Sequence, residues 1–105
     1  SPAIELIKEL IAEGAVITAY DPVAMDEARQ IFTGHIHYEV SAQACLNGAD
    51  GAIVVTEWNE FRALTPQLFA DLMTGNTLVD LRNIYEPEQM TAVGLNYRSI
   101  GRPEV

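Results

Sequence analysis

The residues best suited to chemistry follow three apolar, strand-like stretches of the sequence. They are Tyr20-Asp21-Pro22, Thr56-Glu57-Trp58-Asn59 and Asp80-Leu81-Arg82-Asn83. Ligands of open parallel α/β sheets bind beyond the carboxyl ends of the strands, so we expect these segments to open onto one edge. Arg82 is the only cation among them, and its guanidinium can bind phosphate or carbonyl oxygens with two parallel hydrogen bonds. Arg82 is therefore the candidate ligand-binding residue, and pairing with Asp80 or Glu86 is the structural alternative.

For the other polar candidates a structural explanation is favoured. Asp21 could be the ribose-binding acid of a dinucleotide-binding fold, but no glycine fingerprint precedes it, so we expect it to cap a turn. Glu57 and Glu60 are expected in a solvated loop rather than as an acid–base pair, because no nucleophile accompanies them. His35 and His37 could face one side of a strand, yet no third ligand accompanies them. A metal site is therefore not predicted.

Trp58 and Cys45 are expected to be packing residues. An indole can cover a ligand crevice, but packing of Trp58 against a helix is favoured. Cys45 is the single cysteine, which excludes an internal disulfide. No cation or histidine is positioned by the sequence to lower the pKa of Cys45, so we expect a thiol that is not activated. No catalytic residue is predicted in this chain.

Composition indicates one folded domain over residues 1–105. Hydrophobic residues make up 49% of the chain and charged residues 20%, which is typical of globular proteins. The net charge is −9 and the six Lys and Arg residues are scattered, so no surface for nucleic acid or an anionic membrane is predicted. The sequence shows no signal peptide and no apolar run of about 18 residues, which favours a cytoplasmic location.

The periodicity of apolar residues predicts helices alternating with short strands. The helices begin at Pro2, Pro66 and Pro87 and end at Gly14, Gly75 and Gly94, with further helices over 24–32 and 42–46. Ser41 and Thr65 are predicted helix caps. The predicted strands cover 15–20, 37–40, 51–56, 77–81 and 97–100. Because 51–55 has no polar alternation, both faces of that strand are expected to be covered. This order predicts an α/β fold with a three-layer, mainly parallel Rossmann-like sheet and helices on both faces.

Several of these segments carry a resemblance to a known family. They read AYDPVA from Ala19, ADGAIVVTEWNEF from Ala49, LVDLRNIY from Leu78 and YRSIGRP from Tyr97. In this order and spacing they resemble the UDP-binding domain of the UDP-glucose and GDP-mannose dehydrogenase family across nearly the whole chain. Thr56-Glu57-Trp58, followed by Phe61, is more similar to the UDP-glucose branch than to the mannose branches.

The resemblance implies an enzyme that oxidises UDP-glucose to UDP-glucuronate in two NAD-dependent hydride transfers through a cysteine-bound thiohemiacetal. The family's G-G-x-C-x-P-K-D motif and G-x-G-x-x-G fingerprint are not in this sequence. The chain is therefore expected to be the UDP-sugar-binding domain of the enzyme and to catalyse no oxidation on its own, and NAD is expected to be bound mainly by an N-terminal domain. Arg82 matches the arginine of the family's D-x-R segment, which contacts the UDP-sugar.

The resemblance also implies that the first strand of the domain is missing and would lie between strands 15–20 and 51–56. We expect these two strands to pair directly, or to accept a strand from another copy or from upstream residues. A homo-oligomer is expected for the full enzyme.

Two other interpretations stay open. The chain could be a regulatory or protein-interaction α/β domain, or the same domain of a UDP-N-acetylmannosamine or GDP-mannose dehydrogenase. A hydrolase or phosphotransferase is disfavoured, because the sequence has neither a G-x-S-x-G elbow nor a P-loop.

Overall fold

A computed structural model describes residues 2–21 and 36–99 of the chain. The chain divides into two compact units at the Cys45–Leu46 boundary. The helix predicted over 24–32 and the candidate residue His35 lie outside the described residues.

Among the residues that the structure describes, the first unit contains a helix, a pair of strands and most of a second helix. Its elements are α1 (Pro2–Ala12), β1 (Ile17–Ala19), β2 (Ile36–Tyr38) and α2 (Ala42–Leu46), the last of which crosses the boundary. Gly14 has a φ of 91°, the left-handed conformation that ends many helices. The Oγ atom of Ser41 accepts a hydrogen bond from the backbone N–H of Ala44 at 3.1 Å, so the predicted cap of α2 is confirmed. β1 and β2 are parallel, with Ile17 opposite Ile36.

The second unit is a three-stranded parallel sheet with helical connections. Its elements are β3 (Gly51–Val54), α3 (Asn59–Arg62), α4 (Pro66–Leu72), β4 (Thr77–Asp80), α5 (Pro87–Ala92) and β5 (Asn96–Ser99). The strand order is β3-β4-β5, and both pairings are parallel. Each connection between neighbouring strands contains a helix, which makes two successive βαβ units. The predicted α/β class and parallel strand direction are confirmed, whereas the short helix α3 was not predicted.

Gly75 has a different role from the helix end predicted for it. The helix α4 ends earlier, at Leu72. The backbone N–H groups of Thr74 and Gly75 both donate to the carbonyl of Ala49, at 2.9 and 3.0 Å. A Cβ atom at position 75 would collide with the backbone of Asp50. Glycine is therefore needed here because two backbone segments approach each other closely.

The core of the second unit lies on one face of its sheet. Its buried side chains are Leu46, Phe69, Met73, Leu78, Tyr85, Met90 and Leu95. Ala52, Val54 and Tyr97 pack against this cluster. Since side chains alternate along a strand, Ile53 lies on the opposite face, where it is 37% exposed. The prediction that both faces of this strand are covered is therefore wrong for Ile53, and the three-layer arrangement stays a prediction.

Direct pairing between the first and third strands is also wrong. β1 pairs with β2, and β3 pairs with β4; among the strands that the structure describes, β1 and β3 belong to different sheets. The alternative, in which these strands accept a strand from another copy or from upstream residues, stays a prediction. Within the described ranges, no helix has the length and apolar character needed to cross a membrane.

Candidate functional site

Asp80 shapes the turn that follows β4. Its side chain is fully buried, and its carboxylate accepts four hydrogen bonds. The backbone N–H of Arg82 donates to Oδ1 at 3.0 Å, and those of Ile84 and Tyr85 donate to Oδ2 at 2.8 and 3.2 Å. The hydroxyl of Tyr97 donates to Oδ2 at 2.6 Å. A buried carboxylate is stable only when it is hydrogen-bonded in this way, so Asp80 fixes the path of the chain around Arg82.

Arg82 lies within this turn and extends into solvent. Its side chain is 48% exposed. The next residue, Asn83, has a φ of 55°, a left-handed conformation in which asparagine is several-fold enriched. The backbone N–H of Leu81 still donates to the carbonyl of Val54 at 3.0 Å. The sheet hydrogen bonds thus continue up to Leu81, and the chain turns directly afterwards.

Tyr85 joins this turn to the helix α3. Its hydroxyl donates to the backbone carbonyl of Phe61 at 2.5 Å. Its ring packs edge-on against the ring of Phe69, with centroids 5.3 Å apart. Burial, with a contribution from the charge of Asp80, raises the pKa of Tyr85 well above its ordinary value. The hydroxyl therefore remains a donor at neutral pH and holds α3, with Arg62 in its last turn, beside the turn after β4.

Glu57 lies between two guanidinium groups. Its Oε1 atom accepts a hydrogen bond from Nη2 of Arg82 at 2.8 Å, and its Oε2 atom accepts one from Nη2 of Arg62 at 2.6 Å. Both arginine side chains are 48% exposed, and that of Glu57 is 42% exposed. The hydrogen bond from Arg82, followed by that from Arg62, lowers the pKa of Glu57, so this carboxyl is ionised at neutral pH. We call these three residues the arginine cluster.

The arginine cluster brings two guanidinium groups together on an acidic chain. Two guanidinium groups and one carboxylate leave one net positive charge, whereas the whole chain carries −9. Arginine is well suited to phosphate, because its planar donors match two phosphate oxygens at once. The chemistry of the cluster is therefore suited to an anion, and phosphate groups match it best.

The structure brings two of the three predicted polar segments together. Glu57 follows β3 and Arg82 follows β4, and these strands are neighbours with Val54 opposite Asp80. The third segment, at Asp21, follows β1 in the sheet of the first unit.

Two details of the cluster differ from the sequence interpretation. The guanidinium of Arg82 pairs with Glu57, whereas the alternative named Asp80 or Glu86. Glu57 is exposed as expected, yet it forms ion pairs with two arginines. Arg62 was missed, although it stands five residues after Glu57 with a helix start between them, a spacing that could have indicated the contact.

The structure places Trp58 and His37, and the roles expected for them stay predictions. Trp58 is half-buried and precedes the first residue of α3. His37 is exposed on β2. In the part of the chain that the structure describes, no group of three or more His, Cys, Asp or Glu side chains could hold a metal ion.

Cys45 has the surroundings of a packing residue. Its Sγ atom donates to the backbone carbonyl of Thr18 at 3.3 Å. Burial raises the pKa of the thiol, and the charge of Glu39 raises it further. A thiol with a raised pKa is a poor nucleophile at neutral pH, which supports the expectation that Cys45 is not activated.

The sequence is similar to a known family and to individual proteins. Residues 1–87 match the UDP-binding domain of the UDP-glucose/GDP-mannose dehydrogenase family. The chain belongs to this family. It is 42% identical to the UDP-glucose 6-dehydrogenase of Rhizobium meliloti, over 99% of the chain and 24% of that protein. It is 33% identical to the UDP-glucose 6-dehydrogenase TuaD of Bacillus subtilis, over 100% of the chain and 23% of that protein.

A solved structure agrees with the fold. The UDP-D-ManNAc dehydrogenase of Pyrococcus horikoshii superposes with a TM-score of 0.60 at 19% identity, over 98% of this chain and 30% of that one. At this identity the likeness supports the fold alone. The family resemblance is thus confirmed, and the chain spans about a quarter of the length of the curated relatives it matches.

Proposed function

We propose that this chain is the UDP-sugar-binding domain of an NAD-dependent UDP-glucose 6-dehydrogenase, which oxidises UDP-glucose to UDP-glucuronate. The observation that carries the proposal is the placement of Arg82. Its half-exposed guanidinium extends from a turn fixed by a buried carboxylate, at the carboxyl end of a parallel strand. This is where α/β sheets bind their ligands.

Arg82 would act by binding and not by chemistry. A UDP-sugar carries two negative charges on its diphosphate, and a chain of net charge −9 repels such a ligand at long range. The guanidinium offsets this repulsion locally and fixes the orientation of the diphosphate. The sugar would then be held at a defined place for reaction elsewhere in the enzyme.

The oxidation itself is assigned to residues outside this chain. We do not expect these 105 residues to form the main NAD site, since they contain no G-x-G-x-x-G fingerprint. We propose that an N-terminal domain binds NAD and carries the nucleophilic cysteine, that the full enzyme is a cytoplasmic homo-oligomer, and that its product serves polysaccharide synthesis. We also propose that both units form one domain, since the family match runs across the Cys45–Leu46 boundary.

Thermal unfolding of the chain with and without UDP tests the binding proposal. A ligand that binds only the folded state stabilises it, by about 2.7 kcal/mol at a hundred times its Kd. We expect UDP and UDP-glucose to raise Tm in a saturable manner, while equal ionic strengths of sodium chloride and sodium acetate do not. If the chain were instead a regulatory domain that binds another protein through the carboxyl ends of its strands, UDP and these anions would have the same effect on Tm.

A further inference from the structure

Glu57 occupies donors that an anionic ligand would need. Each arginine of the cluster gives one Nη2 group to this single carboxylate. A guanidinium has five N–H donors in a planar fork, and two donors on one edge are needed to bind phosphate with both arms. In each arginine, the edge of the guanidinium that includes this Nη2 group already donates one hydrogen bond to Glu57. The free domain thus holds its own carboxylate where the oxygens of a phosphate would fit.

Three separate elements bring these groups together. Glu57 lies in the loop after β3, Arg62 in the last turn of α3, and Arg82 in the turn after β4. The pair formed by Glu57 and Arg82 spans 25 residues of sequence, so the contact is set by the sheet and not by a local helix spacing. The two arginines repel each other, and the carboxylate between them offsets this repulsion in the absence of a ligand.

The pairs with Glu57 are weak enough to be exchanged. All three side chains are close to half exposed, and exposed ion pairs contribute little because water and salt screen them. The diphosphate of a nucleotide sugar carries two negative charges and more acceptor oxygens than a carboxylate. We therefore expect it to replace Glu57 with a net gain, and we expect a singly charged anion to gain little by the exchange.

We propose that Arg62 and Arg82 form a two-arginine site for the diphosphate of the nucleotide sugar, and that Glu57 is an internal anion that competes for their donors. This inference rests on the proposed function, and it assigns roles in the binding site to two further residues, Arg62 and Glu57. Arg62 becomes a second contact for the ligand. Glu57 lowers the affinity for every anion and so favours ligands that carry at least two charges.

Binding of UDP to the purified chain, measured by isothermal titration calorimetry, tests the inference. Arg62→Ala should lower the affinity about tenfold or more, as expected for loss of a charge-assisted hydrogen bond. Glu57→Gln should raise the affinity about fivefold, because the competing charge is removed while the shape is kept. Arg62→Lys should recover part of the loss, since an ammonium keeps the charge without the fork.

Two control variants separate the site from general charge effects. Glu88→Gln removes the same negative charge from an exposed position on α5, and Arg98→Ala removes an arginine from β5. Both should change the affinity for UDP by less than about twofold, because screening weakens distant charges. Far-UV circular dichroism and Tm of every variant confirm that it is folded before binding is compared.

The outcomes distinguish this inference from the proposed function. Weaker binding in Glu57→Gln would show that the carboxylate positions the arginines, which overturns its competing role. If Arg82→Ala weakens UDP binding while Arg62→Ala and Glu57→Gln behave like Glu88→Gln, the two-arginine site is wrong and the proposed function stands. Absence of UDP binding by the unaltered chain would contradict the proposed function, and the inference would fail with it.

Discussion

At the scale of single residues, the turn after β4 depends on one buried carboxylate. Asp80 accepts three backbone N–H groups and the Tyr97 hydroxyl, so its role is to order the segment that carries Arg82. The position of Arg82 after an apolar strand led to its prediction as the candidate ligand-binding residue. The sequence did not predict the pairing of Glu57 with both arginines, because 25 residues separate Glu57 from Arg82 and only the sheet brings them together.

Asp80→Asn should destabilise the chain. An amide offers one acceptor oxygen and two donors, so at least one N–H or O–H donor that faces Asp80 would lose its acceptor. Lost hydrogen bonds to a buried charged group of this kind cost about 2 to 4 kcal/mol of unfolding free energy. Urea denaturation measures the loss of stability. The control is Asp71→Asn, which makes the same change at an exposed position. Equal stability of the two variants would contradict the role given to Asp80.

The raised pKa of Tyr85 makes stability depend on alkaline pH. The folded-state pKa lies above the value of about 10 that tyrosine has in unfolded chains. Its contribution to stability is therefore fully present below about pH 10 and is lost as the pH rises toward the folded-state pKa. Tyr85→Phe should be less stable at neutral pH but should lose less stability between about pH 9 and pH 11. Chemical denaturation across this range gives the slope, and equal slopes for the two proteins would rule out this contribution.

At the scale of elements, prolines, caps and glycines correctly located most of the helices that the structure describes. The predicted starts at Pro2, Pro66 and Pro87 all match the structure. The short helix α3 was missed, because four residues are too few to show an apolar periodicity. The strand after residue 50 was predicted to reach 56 but ends at Val54, since its partner turns away at Asp80. Strand ends depend on such tertiary pairing, which a local pattern does not contain.

Thr65 is the cap whose removal should be measurable on its own. Its hydroxyl accepts a hydrogen bond from the backbone N–H of Leu68 at 3.2 Å, and Pro66 begins the helix α4. Thr65→Ala should lower the unfolding free energy by about 1 kcal/mol, whereas Thr65→Ser should keep most of it. Urea denaturation of both variants provides the comparison. If Thr65→Ala lowered the unfolding free energy no more than Thr65→Ser does, the hydroxyl cap would contribute nothing to stability.

At the scale of the whole molecule, the fold class followed from the order of elements and the family from the motifs they carry. The parallel direction of the described strand pairs was predicted, because helices alternate with short apolar strands. The order of the strands within each sheet was not predicted, since the sequence does not contain the information on which strands are neighbours. The partial exposure of Ile53 was missed for the same reason, because a continuous apolar run does not reveal whether anything covers its second face.

The proposed function depends on binding of the UDP-sugar through Arg82. The most direct measurement is the steady-state kinetics of the full-length dehydrogenase with Arg82→Ala, beside the control variant Arg98→Ala. Loss of a charge-assisted bidentate contact costs about 2 to 4 kcal/mol, or roughly 30- to 1000-fold in affinity. We expect KM for UDP-glucose to rise by such a factor in Arg82→Ala, with KM for NAD little changed and Arg98→Ala near wild type. An unchanged KM and kcat for UDP-glucose in Arg82→Ala would contradict the proposed function and leave Arg82 as a surface ion-pair partner of Glu57.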